Sequence, residues 1–169
     1  MNRLKKSKIM AKLQNTPKRD LPFWEAKTLD EMSPGEWESL CDGCGKCCLH
    51  KIDDVNNSEI LYTRVACQFL DLDTCRCRHY CRRSELVSDC VGLTPEMVKK
   101  ITWLPESCAY RRLFEGRGLA WWHPLVSGTP DTVRMAGMSI CDWAVPERYI
   151  HLSELDAYVI DWLDLSSDN

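Results

Sequence analysis

The sequence predicts an α+β fold: a small, irregular single domain of short helices and a short β-hairpin, organised around a cysteine-rich metal centre. Three observations indicate it: eleven cysteines in 169 residues, helix-start signals that are soon followed by helix breakers, and one β-rich segment that leads into a turn. The length suits one domain, and 44% hydrophobic with 28% charged residues is typical of globular proteins. We expect residues 21–169 to form that domain and residues 1–20, which carry seven basic side chains against one acid, to be a mobile basic tail.

The net charge and the amino-terminal residues indicate which partners and which cellular location to expect. A net charge of -3 and a pI near 5.8 argue against a general nucleic-acid binder, whose domain would be strongly basic. No run approaches the roughly 18 apolar residues of a membrane-spanning helix, and the first residues lack the apolar segment of a secretory signal. We therefore expect a cytoplasmic protein with no membrane partner.

Cysteine at this density indicates either a disulfide framework in a secreted protein or a metal site in a reducing compartment. The missing secretory signal favours metal ligation. The odd number of cysteines also favours it, because a fully paired framework would leave one thiol over. A disulfide framework stays open as the alternative.

Four segments carry helix signals. Ser33-Pro34-Gly35-Glu36 predicts a helix start, because Ser33 can cap the helix and the Glu36 carboxylate can return a hydrogen bond to the cap. This helix would bring Trp37 and Leu40 to the core and end where the first cysteines begin. Further helices are predicted from Thr94 to Leu104, from Ser107 to Glu115, and over the periodic apolar residues from Leu152 to Leu163.

The segment Cys41-Asp42-Gly43-Cys44-Gly45-Lys46-Cys47-Cys48 holds four thiols in eight positions. Thiolate sulfur is a soft ligand suited to zinc, iron or cuprous copper, and gaps of two residues let successive sulfurs face one ion. The spacing also matches the first three cysteines of a bacterial ferredoxin run, so an iron–sulfur cluster stays open. Because neighbouring side chains tend to diverge, one of Cys47 and Cys48 is expected to bridge or to serve a second metal. His50 is a weaker candidate, since thiols are plentiful here.

A second cysteine group begins after a segment from Ile60 to Ala66, which is rich in β-branched and aromatic residues and predicts a strand. Turn-forming residues at 71–74 then predict a hairpin, which would bring Cys67 close to both Cys75 and Cys77. The two groups hold more thiols than one tetrahedral ion can use, so the sequence predicts two metals or one polynuclear cluster. The second group consists of Cys67, Cys75, Cys77, Cys81 and Cys90.

Four arginines lie among these cysteines: Arg76, Arg78, Arg82 and Arg83. Eight thiolates around two divalent ions would leave about four negative charges. Our first interpretation is that the arginines compensate this anionic centre and lower the thiol pKa values. The alternative is recognition of phosphate or nucleic acid by the arginines together with His79.

The cysteines and their neighbours resemble a known group. CDGCGKCC at 41–48, TCRCRHYCRR at 74–83 and WWHP at 121–124 are similar to the YcgN/YkgJ cysteine-cluster family, and the likeness covers nearly everything after the basic tail. The resemblance implies a bacterial, cytosolic, zinc- or iron-chelating protein of uncharacterised role, with no established reaction. Carried onto this chain, the family's pattern falls on Cys41, Cys44, Cys47, Cys48, Cys67, Cys75, Cys77 and Cys90, with Cys108 as a ninth candidate. Cys81 and Cys141 lie outside the pattern and are predicted to pack in the core.

Motifs for organic catalysis are missing from the sequence. It contains no glycine-rich nucleotide loop, no HExxH and no GxSxG, so we predict no catalytic residues and favour a binding protein over an enzyme. The main alternative is an iron–sulfur redox protein or enzyme, and a nucleic-acid-binding module is the weaker one. The tryptophans and the histidine at 121–123 are predicted to be packing residues.

Overall fold

The computed structural model describes residues 21–54 and 59–161. The predicted basic tail at 1–20 and the end of the predicted carboxyl-terminal helix, from residue 162, lie outside the described residues. Short helices and a small sheet make up the described part, which confirms the α+β class. Within these ranges no helix is long and apolar enough to cross a membrane.

The α-helices of the described ranges are all four to six residues long, which fits the early helix breakers. They are α1 (Phe23–Ala26), α2 (Pro34–Ser39), α3 (Arg83–Leu86), α4 (Pro95–Val98), α5 (Ala109–Phe114), α6 (Pro124–Ser127) and α7 (Asp131–Met135). Single turns of 3-10 helix lie at Leu29–Glu31, Lys46–Cys48, Tyr80–Arg82 and Glu147–Tyr149, and a longer one at Leu152–Tyr158.

The start of α2 confirms the predicted capping box. The Glu36 backbone N–H donates to Ser33 Oγ, and the Ser33 N–H donates to the Glu36 carboxylate at 2.8 Å. The helix ends at Ser39, and its C-cap residue, Leu40, is fully buried. Helix α2 therefore fixes the point at which the cysteine loop, residues 41–48, leaves the core.

Strand β2 (Glu59–Ala66) is the centre of a four-stranded sheet and matches the predicted strand. Strand β1 (Leu49–Asp54) pairs with it antiparallel, and the register shifts between Leu49 and Lys51. Along the other edge of β2, strand β5 (Val145–Pro146) runs parallel and strand β6 (Val159–Ile160) antiparallel. The sheet thus joins the end of the cysteine loop to the last third of the chain.

The predicted hairpin is present as strands β3 (Leu70–Asp71) and β4 (Arg76–Cys77). The Asp71 carboxylate accepts hydrogen bonds from the backbone N–H groups of Asp73 and Thr74, which closes the turn. Such side-chain-to-backbone bonds are the reason that aspartate favours turns. The hairpin places Cys77 opposite Leu70.

Two predicted helices are wrong in length. The helix predicted from Thr94 to Leu104 stops at Val98. Leu104 lies in an irregular segment after it, and its side chain is buried. The helix predicted from Leu152 is a 3-10 helix that ends at Tyr158, after which β6 pairs with β2. In β6 the backbone of residues 159–160 pairs with β2, and both side chains are β-branched, so tertiary pairing overrides the helical period.

Buried apolar side chains form three clusters, and the cysteine loop lies where they meet. Leu40, at the start of the loop, belongs to the first cluster, and Leu49, at its end, belongs to the second. Cys44 packs against the third. The clusters consist of Leu29, Leu40, Val98, Leu104 and Tyr110; of Leu49, Ala66, Leu70, Cys75 and Ile140; and of Ala120, Trp122, Val133 and Met138.

Candidate metal centre

The cysteine loop follows a path that only glycine allows at two positions. Gly43 and Gly45 have φ angles of 77° and 81°, in the left-handed region where a Cβ atom is strained. A Cβ atom on Gly45 would also lie 2.8 Å from Ile140 Cγ1 and 3.1 Å from Cys75 Sγ. The loop backbone is fastened there, because the Ile140 N–H donates to the Cys44 carbonyl at 2.9 Å.

Cys47 interacts with other thiols of the loop. A hydrogen bond between the Cys47 and Cys48 thiols, together with burial, raises the pKa of Cys47 well above the ordinary cysteine value. Burial likewise raises the pKa of Cys41 to about 11 and that of Cys44 well above its ordinary value, and the charge of Cys47 adds to both shifts. The thiols of Cys47 and Cys48 therefore interact with each other, and the expectation that one of them bridges or serves a second metal stays a prediction.

Cys108 faces the same loop from the start of α5, where it is the N-cap residue. Burial raises its pKa to about 12, and the charge of Cys47 contributes next among the side chains. The ninth candidate thus lies in the electrostatic field of the loop, although 60 residues separate it from Cys48 in sequence. Without a metal these raised pKa values keep the thiols protonated at neutral pH, so metal binding would release protons.

Three cysteines of the second group are also neighbours of one another. Burial raises the pKa of Cys67, and the charges of Cys77 and Cys90 contribute to the shift. The Cys67 N–H donates to the Cys48 carbonyl at 3.0 Å, which joins this group to the loop. Burial also raises the pKa of Cys90, to which Cys47 contributes. The two cysteine segments are therefore joined by a backbone hydrogen bond, and the convergence of their sulfurs around shared ions stays a prediction.

Cys75 and Cys141 form a disulfide in the structure, with Cα atoms 6.1 Å apart. Cys75 Sγ also lies 3.7 Å from the Cys44 carbonyl oxygen and 3.3 Å from Ser139 Oγ, against the cysteine loop. As half of a disulfide, Cys75 offers no thiolate, so it could ligate a metal only after reduction, and its role as a ligand stays a prediction. The other nine cysteines are free thiols, and Cys81 is exposed among them, not in the core as predicted.

The arginines divide into two pairs. The Arg76 guanidinium lies against Gly43, and its charge opposes the burial that raises the pKa of Cys41. Arg83 likewise opposes the rise at Cys90 and stacks 3.9 Å from the Tyr80 ring centroid. The other two pair with carboxylates: Arg78 with Asp71 at 3.1 Å and Arg82 with Glu85 at 3.0 Å.

Two charged residues of the loop, Asp42 and Lys46, were not predicted to be part of the site. Asp42 is buried, and its charge adds to the effect of burial in raising the pKa values of the loop thiols at 41, 44 and 47. Lys46 is 2% exposed, and its Nζ donates to Ser107 Oγ at 3.1 Å. Their positions between the cysteines were the available signal, because a charge inside a ligand loop acts on every thiol around it.

His123 and Trp122 are packing residues, as predicted. Trp122 is 4% exposed, and buried His123 caps α6 by accepting from the Leu125 N–H while its Nε2 lies 2.9 Å from the Leu40 carbonyl oxygen. Trp121 is exposed instead.

The donor set suits a soft metal, but the side chains are not gathered around one point. In residues 21–54 and 59–161, no three histidine, cysteine, aspartate or glutamate side chains are placed to hold an ion. The sulfurs of the loop would therefore have to turn toward a shared ion as they lose their protons.

The comparisons with known proteins agree with this chemistry. A family model named CxxCxxCC, described as "Putative zinc- or iron-chelating domain", matches residues 40–109, a range that includes every cysteine predicted as a ligand. A UPF0260 protein of Sinorhizobium medicae is 52% identical over 143 residues, which cover 85% of this chain and 92% of that one. UPF0260 proteins of Cellvibrio japonicus and Gluconacetobacter diazotrophicus are 54% and 56% identical over 141 residues, which cover 83% of this chain and 96% and 87% of theirs. No solved structure matches the chain.

Proposed function

Because the chain belongs to the UPF0260 family and carries the CxxCxxCC domain, we propose that it binds zinc or iron through cysteine thiolates in the reducing cytosol. The observation that carries the proposal is the cysteine loop itself, which lies where the three buried clusters meet and is joined to the second cysteine group by the hydrogen bond from the Cys67 N–H to the Cys48 carbonyl at 3.0 Å. The proposed ligands are Cys41, Cys44, Cys47, Cys48, Cys67, Cys75, Cys77 and Cys90, with Cys108 as the ninth.

The charges around the loop support ligation by thiolates. A cluster of thiolates is costly to bury unless cations stand near it. Arg76 lies against the loop at Gly43, and buried Lys46 lies within it. Their positive charges would offset part of the anionic charge that two metal ions leave uncompensated.

An iron–sulfur centre is the second candidate, and the loop spacing favours it. Cys41, Cys44 and Cys47 are separated by two residues each, as in the first three ligands of a ferredoxin run. The colour of the protein separates the two candidates. A zinc protein is colourless, whereas an iron–sulfur protein prepared without oxygen is brown and bleaches on reduction.

The test is the metal content of the full chain, purified anaerobically as wild type and as Cys47→Ser. We expect wild type to carry about two metal ions per chain and Cys47→Ser to lose at least one of them. Cys81→Ser is the matched control, because Cys81 is an exposed cysteine outside the predicted set and its loss should leave the content unchanged. A Cys47→Ser protein with the full wild-type content would contradict the proposal.

A further inference from the structure

Three potential ligands lie in one row across the sheet. The β1–β2 register pairs Leu49 with Ala66, and the β2–β5 register pairs Ala66 with Pro146. One residue beyond each of these positions, at the same end of the sheet, stand Cys48, Cys67 and Glu147. The Cys67 N–H donates to the Cys48 carbonyl, which continues the ladder to that row.

His50 reaches the same row through an irregularity in β1. It lies between Leu49 and Lys51, where the pairing register shifts, and such bulges re-aim a side chain. His50 Nε2 lies 3.1 Å from Glu147 Oε2, and the His50 and Glu147 side chains are 28% and 19% exposed. The bulge thus brings an imidazole from β1 to a carboxylate that follows β5.

The imidazole and the carboxylate are close, but they do not form a hydrogen bond. His50 Nε2 is buried and has no hydrogen-bond partner among the described residues, while Glu147 Oε2 accepts from the Gln68 N–H at 2.8 Å. A buried imidazole nitrogen without a hydrogen bond, beside a carboxylate oxygen, is a pair of donors that one ion could join, although the side chains around them would have to close on that ion. In a tetrahedral zinc site with bonds of about 2.0–2.2 Å, neighbouring N and O ligands lie roughly 3.3–3.6 Å apart, so these two atoms, 3.1 Å apart in the structure, would have to move slightly apart to bind one ion.

We propose that His50, Glu147, Cys67 and Cys48 form a mixed site for a divalent cation of the zinc type. The inference rests on the proposed function, because it divides the thiols between a sulfur-rich centre at the loop and this second centre. It adds two ligands that the cysteine pattern does not contain, and Glu147 lies outside the range that the family model matches.

The chemistry of the donors selects zinc over an iron–sulfur cluster. Imidazole nitrogen, carboxylate oxygen and thiolate sulfur are all ordinary zinc ligands, whereas iron–sulfur clusters are held by thiolates or by two histidines in place of two of them. After binding, two thiolates, one carboxylate and a neutral imidazole around a divalent ion leave one negative charge.

The test uses the full chain, stripped of metal, reduced, and titrated with zinc under anaerobic conditions, with bound zinc counted by native mass spectrometry. We expect His50→Gln and Glu147→Gln each to bind one zinc fewer than wild type. His50→Cys, which restores a ligand, should regain that zinc. Glu147→Gln can still accept the hydrogen bond from Gln68, so loss of zinc in this variant reports ligation and not the loop contact.

Matched controls come from two exposed residues that follow Glu147 closely in the sequence. His151→Asn keeps a helix-capping side chain, Glu154→Gln removes an exposed carboxylate, and both should bind as wild type. Equal zinc counts in wild type, His50→Gln and Glu147→Gln would overturn the mixed site while leaving the loop centre intact. A wild-type chain that binds no zinc and no iron would instead overturn the proposed function itself.

Discussion

Replacing Gly45 with alanine tests whether the cysteine loop packs against the rest of the protein. The new Cβ atom would lie 2.8 Å from Ile140 Cγ1 and 3.0 Å from its Cδ1, and Ile140 is fully buried. Overpacking of this kind costs about 1–3 kcal/mol. Alanine at a φ of 81° adds about 1–2 kcal/mol of left-handed strain, so we expect a loss of about 2–5 kcal/mol in the free energy of unfolding.

Gly116→Ala is the matched control, because it separates strain from packing. Gly116 has a φ of 73°, but no atom lies within 4 Å of the position of its Cβ. It should therefore lose only the strain contribution of about 1–2 kcal/mol. Urea unfolding of both reduced, metal-free variants measures the difference. Equal losses would refute the close contact between the loop and Ile140.

Two further predictions concern stability. The metal-free, reduced protein should lose stability as the pH rises from about 9. The reason is that the folded state holds the thiols of Cys41 and Cys108 protonated up to pKa values of about 11 and 12, whereas the same thiols ionise at lower pH in the unfolded chain. Melting temperatures that stay constant between pH 8 and 11 would contradict this prediction. Leu40→Ala should lower the free energy of unfolding by about 2–5 kcal/mol in a chemical unfolding experiment, since Leu40 is fully buried. Leu86→Ala, at an exposed site, should change it by no more than about 0.5 kcal/mol. Similar losses in the two variants would show that α2 is not anchored in the core.

Elements defined by neighbouring residues could be predicted from the sequence. The capping box of α2 needs only Ser33 and Glu36, and the hairpin turn needs only the residues from Asp71 onward. Strand β2 contains β-branched and aromatic residues and lies at the centre of the sheet, so local preference and tertiary pairing agree there. In the capping box and the turn, the hydrogen bonds join residues only a few positions apart in the sequence. In β2, the preference of β-branched and aromatic residues for strands supports the pairing.

Features that depend on distant partners could not be predicted. The segment at 159–160 follows a helical period but pairs with β2. Glu147 has no local signal for ligation, and only the parallel register of β5 brings it to His50. The partner of Cys75 likewise lies 66 residues away at Cys141. These features depend on contacts between residues far apart in the sequence, and the spacing of residues along the chain does not predict which distant residues meet.

The most direct test of metal binding is the intact mass of the full chain, isolated anaerobically and measured by native mass spectrometry. Metal held by thiolates adds the mass of each ion and removes the protons that the thiols give up. We expect about two ions per chain, with the corresponding proton loss. A chain that carries no metal, and whose mass is lower by two hydrogens for each of several disulfides, would contradict a thiolate metal centre.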